Sequence, residues 1–524
     1  MATELRRGLI RITANYSRLL SMLVIGIISV PILLKAVGTE CFGLISLIVG
    51  ATGLALIIND TVRTSLTYEV GRALHSGDDQ EFREIYAAAN VVCLLVAVIT
   101  SVVFMGFYFA APLFKIDESL LDSARLLILY QMADNLFRTM TAAPRQFIMI
   151  TERFLEQSFF QVLRRAAILV GAVAALVVYK GEHYEKALVL FATVQVGMTM
   201  LVQLLSVLWA FYIERKSIPR LRSCTRRALK QVVGTAKWNA AAVGASSIQI
   251  QVDQLLMNVF FGLYGNAMFG IAQRLAGYIR MIVNGMSIGI DAVTVRLSAG
   301  QDSGAMSIRE FMLHSTRLHA VALMPALCYL LLFAGQVLHV WISRTVEDPE
   351  RSVHTAMLLV SVLFFGMASR AMSDNWTSIL YGAGHVRKYA PLVIIGSVLN
   401  PILAVALYFT LPGGWNIVSP AAGFTISMVA FHFIGIPIKV ARCFEMPLRE
   451  VFSPMLRPLV LAVVCLPVPL LFSAAAGQWG VTRLFLSMAA YSLVYTTLCG
   501  MFELLTDERQ RIITAIRRRL PIRA

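Results

Sequence analysis

The sequence predicts an all-α polytopic membrane protein with about fourteen transmembrane helices. Of its 524 residues, 58% are hydrophobic and only 15% are charged, whereas soluble globular chains are roughly 45–50% apolar and about 25% charged. The apolar residues occur in runs of about 20, the length that crosses a bilayer. These two observations exclude a soluble multidomain enzyme, a disordered chain and a disulfide-rich secreted scaffold.

The predicted spans follow the apolar runs in order. The first half of the chain contains 14–34, 41–62, 86–110, 120–141, 159–179 and 186–212. The second half contains 239–261, 267–290, 320–342, 354–371, 389–411 and 421–440, followed by 458–476 and 481–504. Gly, Pro, Arg and Asp interrupt several of these runs, which indicates helices that line one another or a cavity.

This spacing predicts four parts of the chain. An N-terminal six-helix lobe covers 1–212, and a basic cytoplasmic linker covers 213–238. A C-terminal six-helix lobe covers 239–440, and two extra helices with a basic tail cover 441–524.

Basic residues are distributed unequally between the two faces of the predicted bundle. An even number of spans puts both termini on one side, and most of the 46 Lys and Arg fall in the segments on that side. The opposite side has only Lys35, Lys115, Lys180, Lys186, Arg344, Arg351 and Arg483. The positive-inside rule therefore predicts that both termini are cytoplasmic.

The formal net charge of +16 is spread over short loops beside apolar spans. Such charges are typical of contact with anionic membrane lipids, and nucleic-acid binding is not expected. The seven cysteines have no C-x-x-C spacing, so neither a disulfide framework nor a metal site is predicted. The chain also lacks the phosphate-binding motif GxxxxGK[ST] and the zinc-binding motif HExxH, so no cofactor is expected.

An internal repeat relates the two halves. The segment GTECFGLI at 38–45 resembles GNAMFGIA at 265–272, an offset of 227 residues. The segment RALHSGD at 72–78 resembles RLSAGQD at 296–302, and Arg138-Thr-Met140 resembles Arg370-Ala-Met372. Duplicated halves of this kind are typical of transporters in which the site lies between the repeats.

Four segments resemble the polysaccharide and O-antigen flippases, a branch of the multidrug, oligosaccharidyl-lipid and polysaccharide exporter superfamily. The segment VDQLLMNVFFGLYGNAMFGIAQRL at 252–275 is similar to the seventh and eighth helices of that family. Further similarity occurs in FAGQVLHVWI at 333–342, ILYGAGHVRK at 379–388 and VGTECFGL at 37–44. The resemblance therefore extends over nearly the whole chain.

The resemblance implies two six-helix lobes arranged as a V, with helices one, two, seven and eight facing a central cavity. It also implies a cargo of undecaprenyl-pyrophosphate-linked oligosaccharide, moved across the bacterial inner membrane by alternating access coupled to an ion gradient. The product pathway would be O-antigen, capsule or exopolysaccharide synthesis. Polysaccharide polymerases and other assembly proteins are candidate partners.

Arginines inside the predicted spans are the candidate substrate-binding residues. Ionisable side chains at membrane depth are costly and tend to face a cavity or a partner, and the arginine fork suits a pyrophosphate. Arg138 and Arg370 have an acid four residues away, Asp134 and Asp374, and a local ion pair is the alternative there. The substrate-binding candidates are Arg274, Arg280, Arg18, Arg138 and Arg370.

Two acids are candidates for ion coupling, Asp253 and Asp60. Asp253 lies in the polar string Gln249-Ile-Gln-Val-Asp253-Gln254 inside an apolar span. It either pairs with Arg274 across the turn or binds a coupling proton or sodium ion. Arg164 and Arg165 are interpreted as marking the cytoplasmic start of the fifth helix.

Rival functions remain open at this stage. A multidrug or small-molecule cation antiporter of the same superfamily is expected to have about twelve helices and an acid-rich cavity, and a peptidoglycan-precursor flippase shares the count of fourteen. A membrane glycosyltransferase or polymerase would need an external catalytic carboxylate, for which Asp117, Glu118 and Asp122 are the candidates. The absence of a sizeable external loop disfavours an enzyme.

Overall fold

The computed structural model describes residues 2–75, 78–151, 153–287, 290–298, 307–474 and 479–502. Side chains in these ranges are described except at 2–15, 54–68, 75, 235–243, 245–248, 250, 284, 291–292, 296 and 474. Across the described ranges the regular structure is helical and contains no β-strand. The predicted all-α fold is confirmed.

The helices of the described residues are numbered in chain order. The first eight are α1 Ala2–His75, α2 Asp79–Ala110, α3 Glu118–Met140, α4 Ala142–Ile150, α5 Phe154–Tyr179, α6 Tyr184–Ile213, α7 Arg226–Ser287 and α8 Ile290–Ser298. The others are α9 Ile308–Ile342, α10 Pro349–Gly382, α11 Val386–Thr410, α12 Ser419–Ser427, α13 Ile436–Cys443, α14 Leu448–Val464, α15 Pro467–Ala474 and α16 Val481–Phe502. A π-helical turn, Met428–Gly435, joins α12 to α13. Short 3₁₀ segments lie at Ala111–Phe114, Arg215–Ser217, Leu221–Ser223 and Asn416–Val418.

Eleven helical stretches in the described residues are long and apolar enough to cross a membrane. Two of them, Tyr16–Gly53 and Gln251–Ser287, run through a kink and each takes up residues of two predicted spans. Helix α3 is not among the eleven; it carries Asp122, Arg125, Asp134 and Arg138 along its length. The chain is a multi-pass membrane protein.

Glycines with positive φ mark the kinks in α1 and α7. Gly38 has φ 75° and ψ 170°, and Gly262 has φ 65° and ψ −163°. This backbone region is essentially restricted to glycine. The nearly equal angles support the internal repeat, but they correct its register at the kink, because the equivalent of Gly38 is Gly262 and the predicted Gly265 is helical.

The described chain forms two compact units. The first comprises Met1–Leu275, Ile342–Leu363 and Ala390–Ser427, and the second comprises Ala276–Trp341, Phe364–Tyr389 and Met428–Ala524. The first unit thus includes most of α7, up to Leu275, as well as α1 to α6. The predicted lobe boundaries, 1–212 and 239–440, remain predictions.

Small residues bring α1 and α7 into close contact within the first unit. A Cβ added to Gly43 would overlap the backbone carbonyl of Leu263, and one added to Gly50 would overlap the side chain of Gln254. Glycine at helix contacts in membrane proteins lets two backbones approach closely. The segment of α1 that follows Gly38 is held in this way against residues of α7 on both sides of Gly262.

A buried aromatic group organises the second unit. Trp376 of α10 is fully buried, and its Nε1 donates a hydrogen bond to Thr316 Oγ1 of α9 at 3.1 Å. Its ring lies 6.3 Å from that of Phe433 in the π-helical turn and 6.0 Å from that of Phe452 in α14. Trp376 therefore fixes the part of α10 that carries Arg370 and Asp374.

A pair of Gly→Ala variants tests the contact between α1 and α7. Alanine normally stabilises a helix by about 1 kcal/mol relative to glycine. We expect Gly43→Ala to lower the melting temperature of the purified protein, since overpacking costs about 1–3 kcal/mol. Gly277→Ala is the control, because no atom lies within 4 Å of an added Cβ there. Equal melting temperatures for Gly43→Ala and wild type would contradict the described contact.

Candidate functional site

Asp253 lies in a buried polar cluster formed by α7, α11 and α12 of the first unit. Its side chain is 1% exposed. Asn400 Nδ2 donates to both carboxylate oxygens of Asp253, at 3.1 and 3.2 Å, and to the backbone oxygen of Gln249 at 2.9 Å. Gln249 Nε2 donates to Ser427 Oγ at 2.7 Å. Four polar side chains from three helices therefore meet in one apolar setting.

Hydrogen-bond acceptors outnumber donors in this cluster. Ser427 Oγ already donates to the backbone oxygen of Gly396 at 2.7 Å. The side-chain oxygens Gln249 Oε1 and Asn400 Oδ1 are buried and have no hydrogen-bond partner in the described part of the chain. No described cation forms an ion pair with Asp253 either. A buried carboxylate among surplus oxygens has the chemistry of a site for a small cation.

Arg280, Arg370 and Asp374 form a second group, in the second unit. Asp374 Oδ2 lies 2.7 Å from Nε of Arg280 on α7, and Asp374 Oδ1 lies 3.1 Å from Nε of Arg370 on α10. The three side chains are 28%, 13% and 16% exposed in the order Arg280, Arg370 and Asp374. One carboxylate thus serves two guanidinium groups, and the group as a whole carries one surplus positive charge.

His432 of the π-helical turn completes this group. Its ring is 1% exposed, with Nε2 3.2 Å from Nη1 of Arg370 and Nδ1 3.0 Å from Oγ of Ser373. A guanidinium can only donate, so Nε2 accepts and the proton lies on Nδ1. His432 is therefore neutral here and orients Arg370 without cancelling its charge. Sequence reasoning missed His432; π-helical turns are frequent at functional sites, but nothing in the residue pattern predicts one.

Arg274 lies apart from both groups. Its guanidinium carbon is 4.7 Å from the centre of the Phe42 ring, a cation–π contact between α7 and α1 in the first unit. Of the two alternatives that the sequence left open for Asp253, pairing with Arg274 is not formed; the carboxylate is bonded to Asn400. Arg274 and Arg280 are six residues apart on α7 and make separate contacts.

Arg18 and Arg138 lie beside one cavity of about 180 Å³ in the first unit. Arg138 lines it directly, and Arg18 Nη1 donates to Oε1 of the lining residue Gln161 at 2.9 Å. Two further arginines, Arg145 and Arg164, also line this cavity. Sequence reasoning missed both, and the interpretation of Arg164 as only a marker of the start of a helix was incomplete.

The local ion pairs predicted at spacing four have different outcomes. Arg370 and Asp374 form theirs, as expected. Asp134 accepts a hydrogen bond from Gln203 Nε2 at 2.7 Å, and Arg138 Nη2 donates to Asn135 Oδ1 at 3.1 Å. Asp60 lies in α1, but its side chain falls outside the described residues, so its role in ion coupling stays a prediction.

Solved transporters share this fold. A multidrug resistance MATE family transporter of the MOP superfamily, in an inward-facing conformation, matches with a TM-score of 0.67 and 13% identity over 83% of this chain and 99% of its own. The lipid II flippase MurJ, in an inward closed conformation, matches with a TM-score of 0.66 and 11% sequence identity. The match covers 93% of this chain and 98% of MurJ. A MOP superfamily transporter from Pyrococcus furiosus, whose binding pocket is described as having reverse polarity, matches with a TM-score of 0.55 and 14% sequence identity. The match covers 83% of this chain and 95% of that transporter.

The sequence matches no family model and no curated protein. At these identities the structural likeness establishes the fold, which is that of the MOP-superfamily transporters. The chemistry of the site rests on the side chains of this chain.

Removal of Asp374 tests the shared ion pair. Asp374→Asn would leave Arg280 and Arg370 without their counter-charge, and breaking a buried pair in this way costs about 3–5 kcal/mol. We expect a sharp loss of monodisperse protein on size-exclusion chromatography and a lower melting temperature. Arg280→Gln is the matched variant, since it leaves a neutral Arg370–Asp374 pair, and it should lose much less. Equal losses would show that Asp374 does not balance both arginines.

Proposed function

We propose that the protein is a flippase that moves an undecaprenyl-pyrophosphate-linked oligosaccharide across the bacterial inner membrane during synthesis of a cell-surface polysaccharide. The observation that carries this proposal is the excess of arginine over acid in two partly buried groups of side chains. In the second unit, Arg280 and Arg370 share the single carboxylate of Asp374. In the first unit, a cavity is lined by Arg138, Arg145 and Arg164.

An excess of partly buried arginine favours an anionic cargo over a cationic one. Guanidinium groups bind phosphate oxygens through short, charge-assisted and often bidentate hydrogen bonds. Keeping such groups at membrane depth costs about 2.5–3.5 kcal/mol each on insertion scales, and a negatively charged ligand offsets part of that cost. A cavity for organic cations would instead be expected to present unpaired acids.

The extent of the structural match also favours a flippase. The lipid II flippase covers 93% of this chain, whereas the multidrug transporter covers 83% although nearly all of its own length is matched. This chain therefore has more helical structure in common with the flippase. A peptidoglycan-precursor flippase remains a candidate for the same reason, since its cargo presents the same kind of pyrophosphate.

Asp253 is the proposed ion-coupling residue, with Asp60 as the second candidate. The buried carboxylate of Asp253 is bonded to Asn400 and lies among acceptors such as Gln249 Oε1 that have no partner in the described chain. A proton or a sodium ion would satisfy these oxygens, and its release would restore their repulsion. Coupling-ion sites of secondary transporters use carboxylates and carbonyls in this manner.

The enzyme alternative depends on a carboxylate outside the membrane. Asp117, Glu118 and Asp122 lie at the start of α3 and are exposed, and the side chain of Asp122 is 96% exposed. A general acid or base gains its altered reactivity from burial or from charged neighbours. The exposure of these three acids disfavours catalysis there.

Depletion of the protein in cells tests the proposed function. We expect a complete undecaprenyl-linked repeat unit to accumulate in the cytoplasmic leaflet, measured by mass spectrometry of extracted lipids and by accessibility to a lectin added outside. Normal amounts and a normal leaflet distribution would overturn the flippase and favour drug or small-molecule antiport. Truncated glycans would overturn it in favour of an enzyme.

The ion-coupling role of Asp253 is tested with Asp253→Asn. Asparagine keeps an oxygen that accepts from Asn400, so we expect the variant to fold with a melting temperature near that of the wild type. The variant loses the negative charge at position 253. Movement of the lipid-linked oligosaccharide across the membrane of proteoliposomes should therefore no longer respond to an imposed sodium or proton gradient. Asp122→Asn is the matched control and should respond normally. A full gradient response from Asp253→Asn would exclude Asp253 as the coupling residue.

A further inference from the structure

The cavity beside Arg138 is partly open and is lined by residues of four helices and one residue of a fifth. The lining residues lie at the end of α3, in α4, in the first three turns of α5 and in the second half of α6, together with Cys93 of α2. The turns at both ends of α4 fall on the side that the distribution of Lys and Arg assigns to the cytoplasm. The cavity is thus placed where a cargo assembled in the cytoplasm would first meet the protein.

The charges that line this cavity are all positive. Arg138, Arg145 and Arg164 line it, and none of its described lining residues is acidic. Neutral groups hold two of the arginines in position: Arg145 Nε donates to Thr141 Oγ1 at 3.2 Å, and Arg138 Nη2 donates to Asn135 Oδ1 at 3.1 Å. Three guanidinium groups along one cavity have the chemistry of an anion-binding surface.

Two buried amide oxygens line the same cavity. Gln203 is 2% exposed, and its Nε2 is committed to Asp134 at 2.7 Å, which leaves Oε1 on the other side of the amide. Gln146 is 6% exposed. Neither Gln146 Oε1 nor Gln203 Oε1 has a hydrogen-bond partner in the part of the chain that the structure describes. A buried acceptor without a partner costs free energy, so a ligand hydroxyl that donates to it is favoured.

We propose that this cavity binds a phosphorylated saccharide or polyol head group, with the phosphate on the arginines and the hydroxyls on Gln146 and Gln203. A volume of about 180 Å³ open to the centres of water molecules corresponds to about a dozen waters, which is room for a phosphate with an adjoining ring. We identify this head group as the first sugar phosphate of the lipid-linked cargo, an identification that rests on the proposed function.

Binding is measured directly on the purified full-length protein, without transport. Isothermal titration with glucose 1-phosphate, inorganic phosphate and glucose should give the tightest binding for glucose 1-phosphate. Arg164→Gln should weaken both phosphates at least about tenfold, since hydrogen bonds to charged groups contribute about 1.5–3 kcal/mol each. Gln146→Leu should weaken glucose 1-phosphate and leave inorganic phosphate unchanged. If the wild type bound inorganic phosphate as tightly as glucose 1-phosphate, the proposal would be overturned.

Controls separate a binding defect from a folding defect. Arg153→Gln removes an exposed arginine that precedes α5 and pairs with Glu156 at 3.2 Å, and it should bind all three probes as the wild type does. The melting temperature of each variant without ligand shows whether it is folded. Arg164→Gln with unchanged melting temperature and unchanged phosphate affinity would overturn the proposal.

The source of the head group is distinguished in nanodiscs. With phosphatidylcholine alone, glucose 1-phosphate should bind; addition of phosphatidylglycerol, a phosphorylated polyol lipid, either leaves the affinity unchanged or lowers it. If phosphatidylglycerol leaves the affinity for glucose 1-phosphate unchanged, the cargo is supported as the source of the head group. If phosphatidylglycerol lowers that affinity in the wild type but not in Arg164→Gln, the cavity is assigned to membrane lipid. Because these titrations involve no transport, failure of the proposed flippase function would leave their outcome standing.

Discussion

The cost of holding charge inside a bilayer determines how this protein packs. An ionisable side chain at membrane depth costs about 2.5–3.5 kcal/mol on insertion scales, so each needs a partner from another helix or a polar cavity. Asp253 obtains Asn400 from α11, and Arg280 on α7 obtains Asp374 from α10. These contacts fix α7 against α11 in the first unit and against α10 in the second. The helices that carry charge are therefore positioned by that charge.

Glycine provides the geometry that these contacts require. The backbone is kinked at Gly38 and at Gly262 with nearly equal torsion angles, so α1 and α7 each contain two helical segments. Close approach at Gly43 then brings the second segment of α1 against α7, and Arg274 reaches the ring of Phe42. Each of these features depends on the absence of a side chain, because a Cβ would overlap a neighbouring backbone or force a strained φ.

The fold and the charges answer different questions about function. The same arrangement of helices is found in a multidrug transporter and in a lipid II flippase, so it shows the fold and names no cargo. The cargo class is proposed from the side chains, in which arginine exceeds acid in the cavity of the first unit and around Asp374. Asp253 has the opposite character, and the two kinds of site match an anionic cargo and a small cation.

The sequence by itself determined the helical fold, the membrane location and which charges lie inside the helices, because these follow from local composition and run length. The pair Arg370–Asp374 was also predictable, since a spacing of four residues puts both on one helix face. Only the tertiary structure decided that Arg280 joins them from 94 residues away and that Asp253 meets Asn400 at a separation of 147. It also placed Arg164 in a cavity and the second kink at Gly262, because contacts between distant helices depend on packing that local patterns do not encode.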